Sequence, residues 1–183
     1  MNVLDFPNAD AWSYWLEQNQ DHHSEAWLRI AKRHARIETI TISDALDVAL
    51  CHGWIDGQRK AHDEHSFLQR YSRRRSKSSW SQVNVAKVEA LTATGRMRPG
   101  GLAEVEAAKA DGRWDGAYEP QSTAEAPPDL VDALDGNAEA KKAFEALGRS
   151  ERYAVILPLL KARTPESRAK ILARAVEWLS RSQ

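Results

Sequence analysis

Two short runs, Trp54-Ile-Asp-Gly-Gln-Arg59 and Ser66-Phe-Leu-Gln-Arg-Tyr71, flank the polar segment His62-Asp-Glu-His65. This arrangement predicts an antiparallel hairpin with a turn of four to five residues, although the tip lacks the Asn-Gly or Asp-Gly pair of the tightest turns. Ala26-Trp-Leu-Arg-Ile30 is a third β-prone run. The chain is therefore mixed, not all-helical, and the sheet expected from these runs has about three strands.

Helical signals surround the strands. Trp12, Trp15 and Leu16 recur at helical spacing behind the capping candidates Asn8 and Asp10. Ser43 precedes Ala45, Leu46, Ala49 and Leu50, and Gly53 follows them as a helix-ending glycine. Val85, Val88 and Leu91 mark a helix stopped at Gly95, and Pro99 opens another that stops at Gly112. Further on, Thr164-Pro165-Glu166 reads as cap, first-turn proline and first-turn acid for the stripe Ile171, Leu172, Ala175, Val176, Leu179. Tyr153, Ile156, Leu157 and Leu160 form a partner face, which Pro158 is expected to bend or shorten.

Composition shifts once. Residues 59–87 hold eight Lys or Arg against Asp63 and Glu64, whereas residues 115–140 hold seven acids and no Lys or Arg. After Tyr118 the acidic stretch loses its large apolar residues through Pro127-Pro128, too little to offset its ordering entropy by burial. The expected organisation is an α+β domain over 1–119, a linker over 120–127 and a helical module over 128–183. At 183 residues the chain is long enough to bury a core without disulfide or metal. Equal counts of 26 basic and 26 acidic side chains leave no net charge, which excludes a globally basic nucleic-acid coat and makes any anion site a local patch. A single cysteine, Cys51, excludes a disulfide framework. The first residues carry neither a basic segment nor an apolar core of a secretory leader, and no apolar stretch approaches the ~20 residues of a membrane span. A cytoplasmic protein is expected.

Several constellations invite chemistry. On a regular strand Trp54, Asp56 and Gln58 share one face, and a carboxylate beside an indole with glycine on both sides can anchor a cationic or hydroxyl-bearing ligand. The bland alternative is a structural Asp56 paired with an arginine. Arg70, Arg74 and Arg75, with Tyr71 and Trp80 between and beside them, suit a phosphate or carboxylate and a stacked ring; a solvated basic loop is the alternative. Trp54, Trp80 and Trp114 are candidates to line a groove, and Arg113-Trp114 to form a cation–π contact with the hairpin, while Trp12, Trp15 and Trp27 read as core. The His62–His65 tetrad lacks the spacing of a helical metal motif and reads as a hydrated turn. Cys51 and His52 are helix neighbours that do not face each other, so they are no nucleophile–base couple. Neither a nucleophile elbow nor a nucleotide-binding glycine loop occurs.

The ordered string Gly53-Trp-Ile-Asp-Gly57, Leu68-Gln-Arg70, Ser79-Trp-Ser81 and Asp111-Gly-Arg-Trp114 resembles the YdeI/OmpD-associated, or bacteriocin-protection, family. The resemblance extends upstream to Trp15-Leu16 and Trp27-Leu28 and downstream through Arg163-Thr-Pro-Glu-Ser-Arg168. In place of the proline usual before the family's Arg-Arg pair this chain has Arg73, which makes the loop less rigid and more cationic. The resemblance implies no established reaction and no cofactor; it implies a link to tolerance of bacteriocins and cationic antimicrobial peptides. The expected function is a non-enzymatic binding protein that meets an anionic small molecule or a protein partner through Trp54, Asp56, Gln58, Arg70, Arg74, Arg75, Trp80 and Trp114. Two other classes stay open: an enzyme for an anionic small molecule, with Asp56 as acid/base and Arg70 or Arg74 as clamp, and a less favoured nucleic-acid binder using Arg73 to Lys77 and Trp80.

Overall fold

The structure is a computed structural model that describes residues 2–35 and 37–181. Residues 182 and 183 of the expected C-terminal module lie outside the described residues. Contacts divide the chain into an N-terminal unit, residues 2–80 with 84–116, and a C-terminal unit, residues 81–83 with 117–181.

The N-terminal unit is α+β. Its strands are β1 (Val3–Leu4), β2 (Glu25–Ala31), β3 (Trp54–Ala61) and β4 (Ser66–Arg73), in the order β1-β2-β4-β3. The predicted hairpin is β3–β4, and β2 lies antiparallel to β4 with Leu28 opposite Gln69. The sheet has four strands instead of about three. The addition, β1, is two residues long and parallel to β2, too short to show an alternation in the sequence. At the hairpin tip Asp63 replaces the missing glycine turn: its Oδ1 accepts from the amides of His65 and Ser66 and from the Ser66 hydroxyl. Those bonds hold the Asp63 carboxyl below the usual carboxylate range.

Helices α1 (Ala9–Asn19) and α2 (Ile42–Cys51) cover one face of this sheet. Asn8 caps α1; Thr41, not Ser43, caps α2, because its hydroxyl reaches the amide of Asp44. Trp12, Leu16, Ala45, Val48 and Ala49 pack on Leu28, Ile30, Trp54 and Tyr71. Trp27 is buried on the opposite face, where Lys60 lies 4.5 Å from its ring centre. Helices α3 (Gln82–Ala93) and α4 (Pro99–Ala110) follow. In α4, Gly101 meets the end of α2 backbone to backbone: a Cβ there would stand 2.2 Å from the Cys51 carbonyl oxygen.

The C-terminal unit contains α5 (Pro128–Asp135), α6 (Ala138–Ala146), α7 (Arg149–Lys161) and α8 (Pro165–Arg181). Leu130, Leu134, Phe144, Ile156, Leu159 and Leu179 form its core. Helix α7 does not stop at Pro158 but runs three residues past it. The expected linker has no helix or strand, yet α7 grips it and the residue before it: Gln121 donates to the Ser150 hydroxyl, Arg149 to the Ser122 carbonyl, and Tyr153 to the Glu119 carbonyl. No helix among the described residues is long and apolar enough to cross a membrane.

Candidate functional site

The hairpin decides which predicted site residues can meet. Asp56 pairs with Tyr71, so both stand on the face covered by α1 and α2. Their neighbour Arg70 pairs with Trp27 and therefore points from the other face, where it reaches Glu25 at 3.6 Å. Arg70 cannot act with Asp56. A β-bulge then interrupts β3 between Asp56 and Arg59, placing Gly57 and Gln58 opposite the single residue Arg70. Beyond it Arg59, not Gln58, resumes the face of Asp56, and its Nε donates to Gln69 Oε1 at 3.2 Å. The expected line of Trp54, Asp56 and Gln58 fails because strict alternation ends at the bulge, and Gln58 is left exposed.

Asp56 is itself exposed, but packing against the sheet still strips enough water to raise its carboxyl above the ordinary range; its own amide, Arg74 and Arg59 pull the other way. Tyr71 is fully buried and its hydroxyl has no hydrogen-bond partner among the described residues. Burial, then the nearby Asp56 charge, pushes that phenol far above its usual value.

The loop after β4 is built around buried cations. The Arg74 amide bonds the Gly53 carbonyl at 3.0 Å; its guanidinium lies 3.5 Å from the Trp80 ring centre and donates to the Ser79 carbonyl at 3.2 Å. Arg74 and Trp80 are 6% and 2% exposed, so they are interior residues and not a surface for a base to stack on. Trp114, half-buried, meets Trp80 at 4.9 Å between ring centres. Among the described residues Arg113 makes no cation–π contact with the hairpin. Its Nε binds the Asp111 carboxylate and its NH1 the Ser78 carbonyl, because a planar guanidinium satisfies several oxygens at once. Lys109 takes the face of Trp114 instead. Arg73 is bound by the Gln20 carbonyl and by Asp21 at 2.9 Å. Of the predicted basic loop, Arg73, Arg75 and Lys77 remain exposed.

Trp54 and Arg74 share a cleft of about 320 Å³ with Gln20, Asp21, His52, Gly53, Arg73, Gly100, Ala103 and Glu104. Gly53 is its hub. With φ of +77° it adopts a backbone that suits glycine, and a Cβ there would stand 2.8 Å from the Gly100 carbonyl oxygen and 3.1 Å from Glu104 Cγ. Trp54 is 1% exposed and its indole N–H has no acceptor among the described residues. His52, buried at the end of α2, bonds the Ser13 hydroxyl through Nε2 at 2.9 Å, and burial lowers its pKa so that it stays neutral. The arrangement can hold a small polar molecule between charges of both signs.

The structure thus gathers Trp54, Arg74, Trp80 and Trp114, sets Asp56 within the field of Arg74, and disperses Gln58, Arg70 and Arg75. Sequence reasoning missed Glu104, Ser13 and the role of His52. The adjacent glycines Gly100 and Gly101 inside an apolar helical stripe were the one signal that α4 approaches another backbone there.

Comparison with known proteins places two families on the chain. Residues 4–104 match a family described as a domain of unknown function, DUF8412. Residues 123–182 match a family described as bacteriocin-protection, YdeI or OmpD-associated. The second match covers the C-terminal unit, while the Gly53-Trp-Ile-Asp-Gly57 string lies within the first. No curated protein and no solved structure matches the chain.

Proposed function

The chain belongs to the family of the domain of unknown function spanning residues 4–104 and ends in a YdeI/OmpD-associated module, and from that membership we propose that it is a non-enzymatic binding protein contributing to bacterial tolerance of bacteriocins, cationic antimicrobial peptides and envelope stress. The observation that carries this reading is the bacteriocin-protection match over residues 123–182. The N-terminal unit supplies the binding site, the cleft around Gly53. We propose that it works in the cytoplasm, a reading supported by the lone, buried, unpaired thiol of Cys51.

Binding suits this cleft better than acid–base chemistry at Asp56, since Arg70 has left the site and Asp56 does not line the cleft. Nucleic-acid contact is less supported still, because Arg73, Arg74 and Arg113 are engaged by backbone carbonyls and carboxylates of the protein itself.

A bacterial strain deleted for the gene and challenged with polymyxin B tests the reading. Deletion lowers the inhibitory concentration, and the full chain expressed from a plasmid restores it; equal survival of the two strains refutes the proposal.

A further inference from the structure

We propose that the groove between α6 and α8 in the C-terminal unit is a docking face for a second copy of this chain, the Trp178 ring of each copy seating in the groove of the other. This goes beyond the binding reading above and does not depend on the Gly53 cleft.

Trp178 points there. Of the seven tryptophans, six are buried or half-buried, whereas Trp178 is 52% exposed. Its neighbour Leu179 is fully buried in the core of this unit. Successive helical residues stand about 100° apart, so α8 turns one of the two side chains inward and the other out. A single apolar residue at a surface needs no explanation. This one forms the wall of a groove of about 410 Å³, whose other apolar sides are Ala143, Ala146, Leu147 and Leu179. The small side chains of Ala143 and Ala146 leave room for a ring, and tryptophan is among the residues that most often anchor an interface.

Self-complementarity is what distinguishes a second copy from a foreign partner. A two-fold interface uses one patch twice, so that patch must offer both halves of every contact. This patch offers a projecting ring beside a recess, and it carries both signs of charge, Lys142 and Glu151. Lys142 enters the groove more than one turn before the end of α6. The Glu151 carboxylate is held beyond that end, by the Gly148 amide at 2.8 Å. The two charges therefore stand at opposite ends of the groove. Lys142 makes no ion pair among the described residues. A two-fold axis across the groove brings each Lys142 to the other copy's Glu151, so that two identical ion pairs frame two covered indoles.

Sedimentation equilibrium of the full chain from about 1 μM to about 1 mM tests this. The expected result is a monomer–dimer equilibrium within that range. Trp178→Ala raises its dissociation constant at least about tenfold, and leaves the melting temperature of the dilute monomer unchanged because the ring is exposed there. Lys142→Glu and Glu151→Lys each dimerise at least about tenfold more weakly alone, since like charges meet across the axis. Mixed in equal amounts, the two variants associate as the wild type does, because each supplies the charge the other lacks. A chain monomeric throughout, a dimer indifferent to Trp178→Ala, or a mixture that associates no better than its components overturns the proposal. Bacterial survival is scored separately, so a failed tolerance assay beside an intact dimer refutes the first reading and leaves this one standing.

Discussion

The Arg74 guanidinium lies 3.5 Å from the centre of the Trp80 ring, so a cation that the sequence offers to a ligand is spent on holding its own loop. Its donation to the Ser79 carbonyl closes that loop. Arg74→Ala leaves an interior gap under the indole and an unpaired carbonyl, and we expect a loss of about 2–3 kcal/mol. Arg74→Lys keeps the charge but not the planar fork and should lose roughly half as much. Urea unfolding followed by tryptophan fluorescence measures both; a neutral Arg74→Ala would show that the stack is incidental.

Gly101 reverses an ordinary rule. Glycine to alanine inside a helix normally stabilises by about 1 kcal/mol. Here the added methyl would stand 2.2 Å from the Cys51 carbonyl oxygen, which belongs to backbone and cannot swing aside. Gly101→Ala should therefore cost about 2–3 kcal/mol. At the bulge, Gly57→Ala meets the Arg70 side chain at 3.4 Å and the Arg70 carbonyl oxygen at 3.7 Å, ordinary contact distances, and should change stability by less than about 1 kcal/mol. Thermal melts of the two variants rank them, and the opposite order contradicts the close approach of α4 to α2.

His52 gives the N-terminal unit a pH dependence. Burial lowers its pKa in the folded protein, so the unfolded chain binds the proton more readily. Stability contributed by the neutral ring is complete above the unfolded value of about 6.5 and is lost as pH falls through and below it. A series of melts from alkaline to mildly acid buffer should show this decline, and His52→Gln should flatten it. A decline unchanged in the variant would assign the effect to another group.

In the C-terminal unit, Asp129 and Arg168 form a bidentate pair, with Nε to Oδ2 at 2.6 Å and NH2 to Oδ1 at 2.7 Å. That pairing holds the Asp129 carboxyl below its ordinary range. Its contribution is present above about pH 4 and disappears as pH falls through the lowered folded value. Asp129→Asn should cost about 1 kcal/mol at neutral pH, a modest figure because both side chains are partly hydrated, and nearly nothing in strong acid. Equal costs at both pH values would mean that charge is not what the pair contributes.

What the sequence showed and concealed divides along physical lines. The β3–β4 hairpin, β2 and the C-terminal stripe ending at Leu179 were legible because each repeats its apolar pattern over several residues and is bounded by turn or cap residues. β1 was not, since two residues carry no period. The bulge at Gly57 and Gln58 was equally hidden: which face Arg59 would take depends on pairing with Gln69, a contact across the hairpin. The arginines misled for a related reason. A run of cations reads as a ligand surface until the carbonyls of Ser78, Ser79 and Gln20 are seen to occupy Arg113, Arg74 and Arg73. Glu104 was invisible as a site residue because only the approach of α4 to Gly53 brings it there.

The account stands most directly on whether the Gly53 cleft does the protein's work in the cell. The deletion strain complemented with Glu104→Gln, a variant expected to melt at the wild-type temperature, is challenged with polymyxin B beside the wild-type complement. The account predicts that the variant strain remains as sensitive as the uncomplemented deletion. Full restoration of tolerance by a folded Glu104→Gln protein would contradict it.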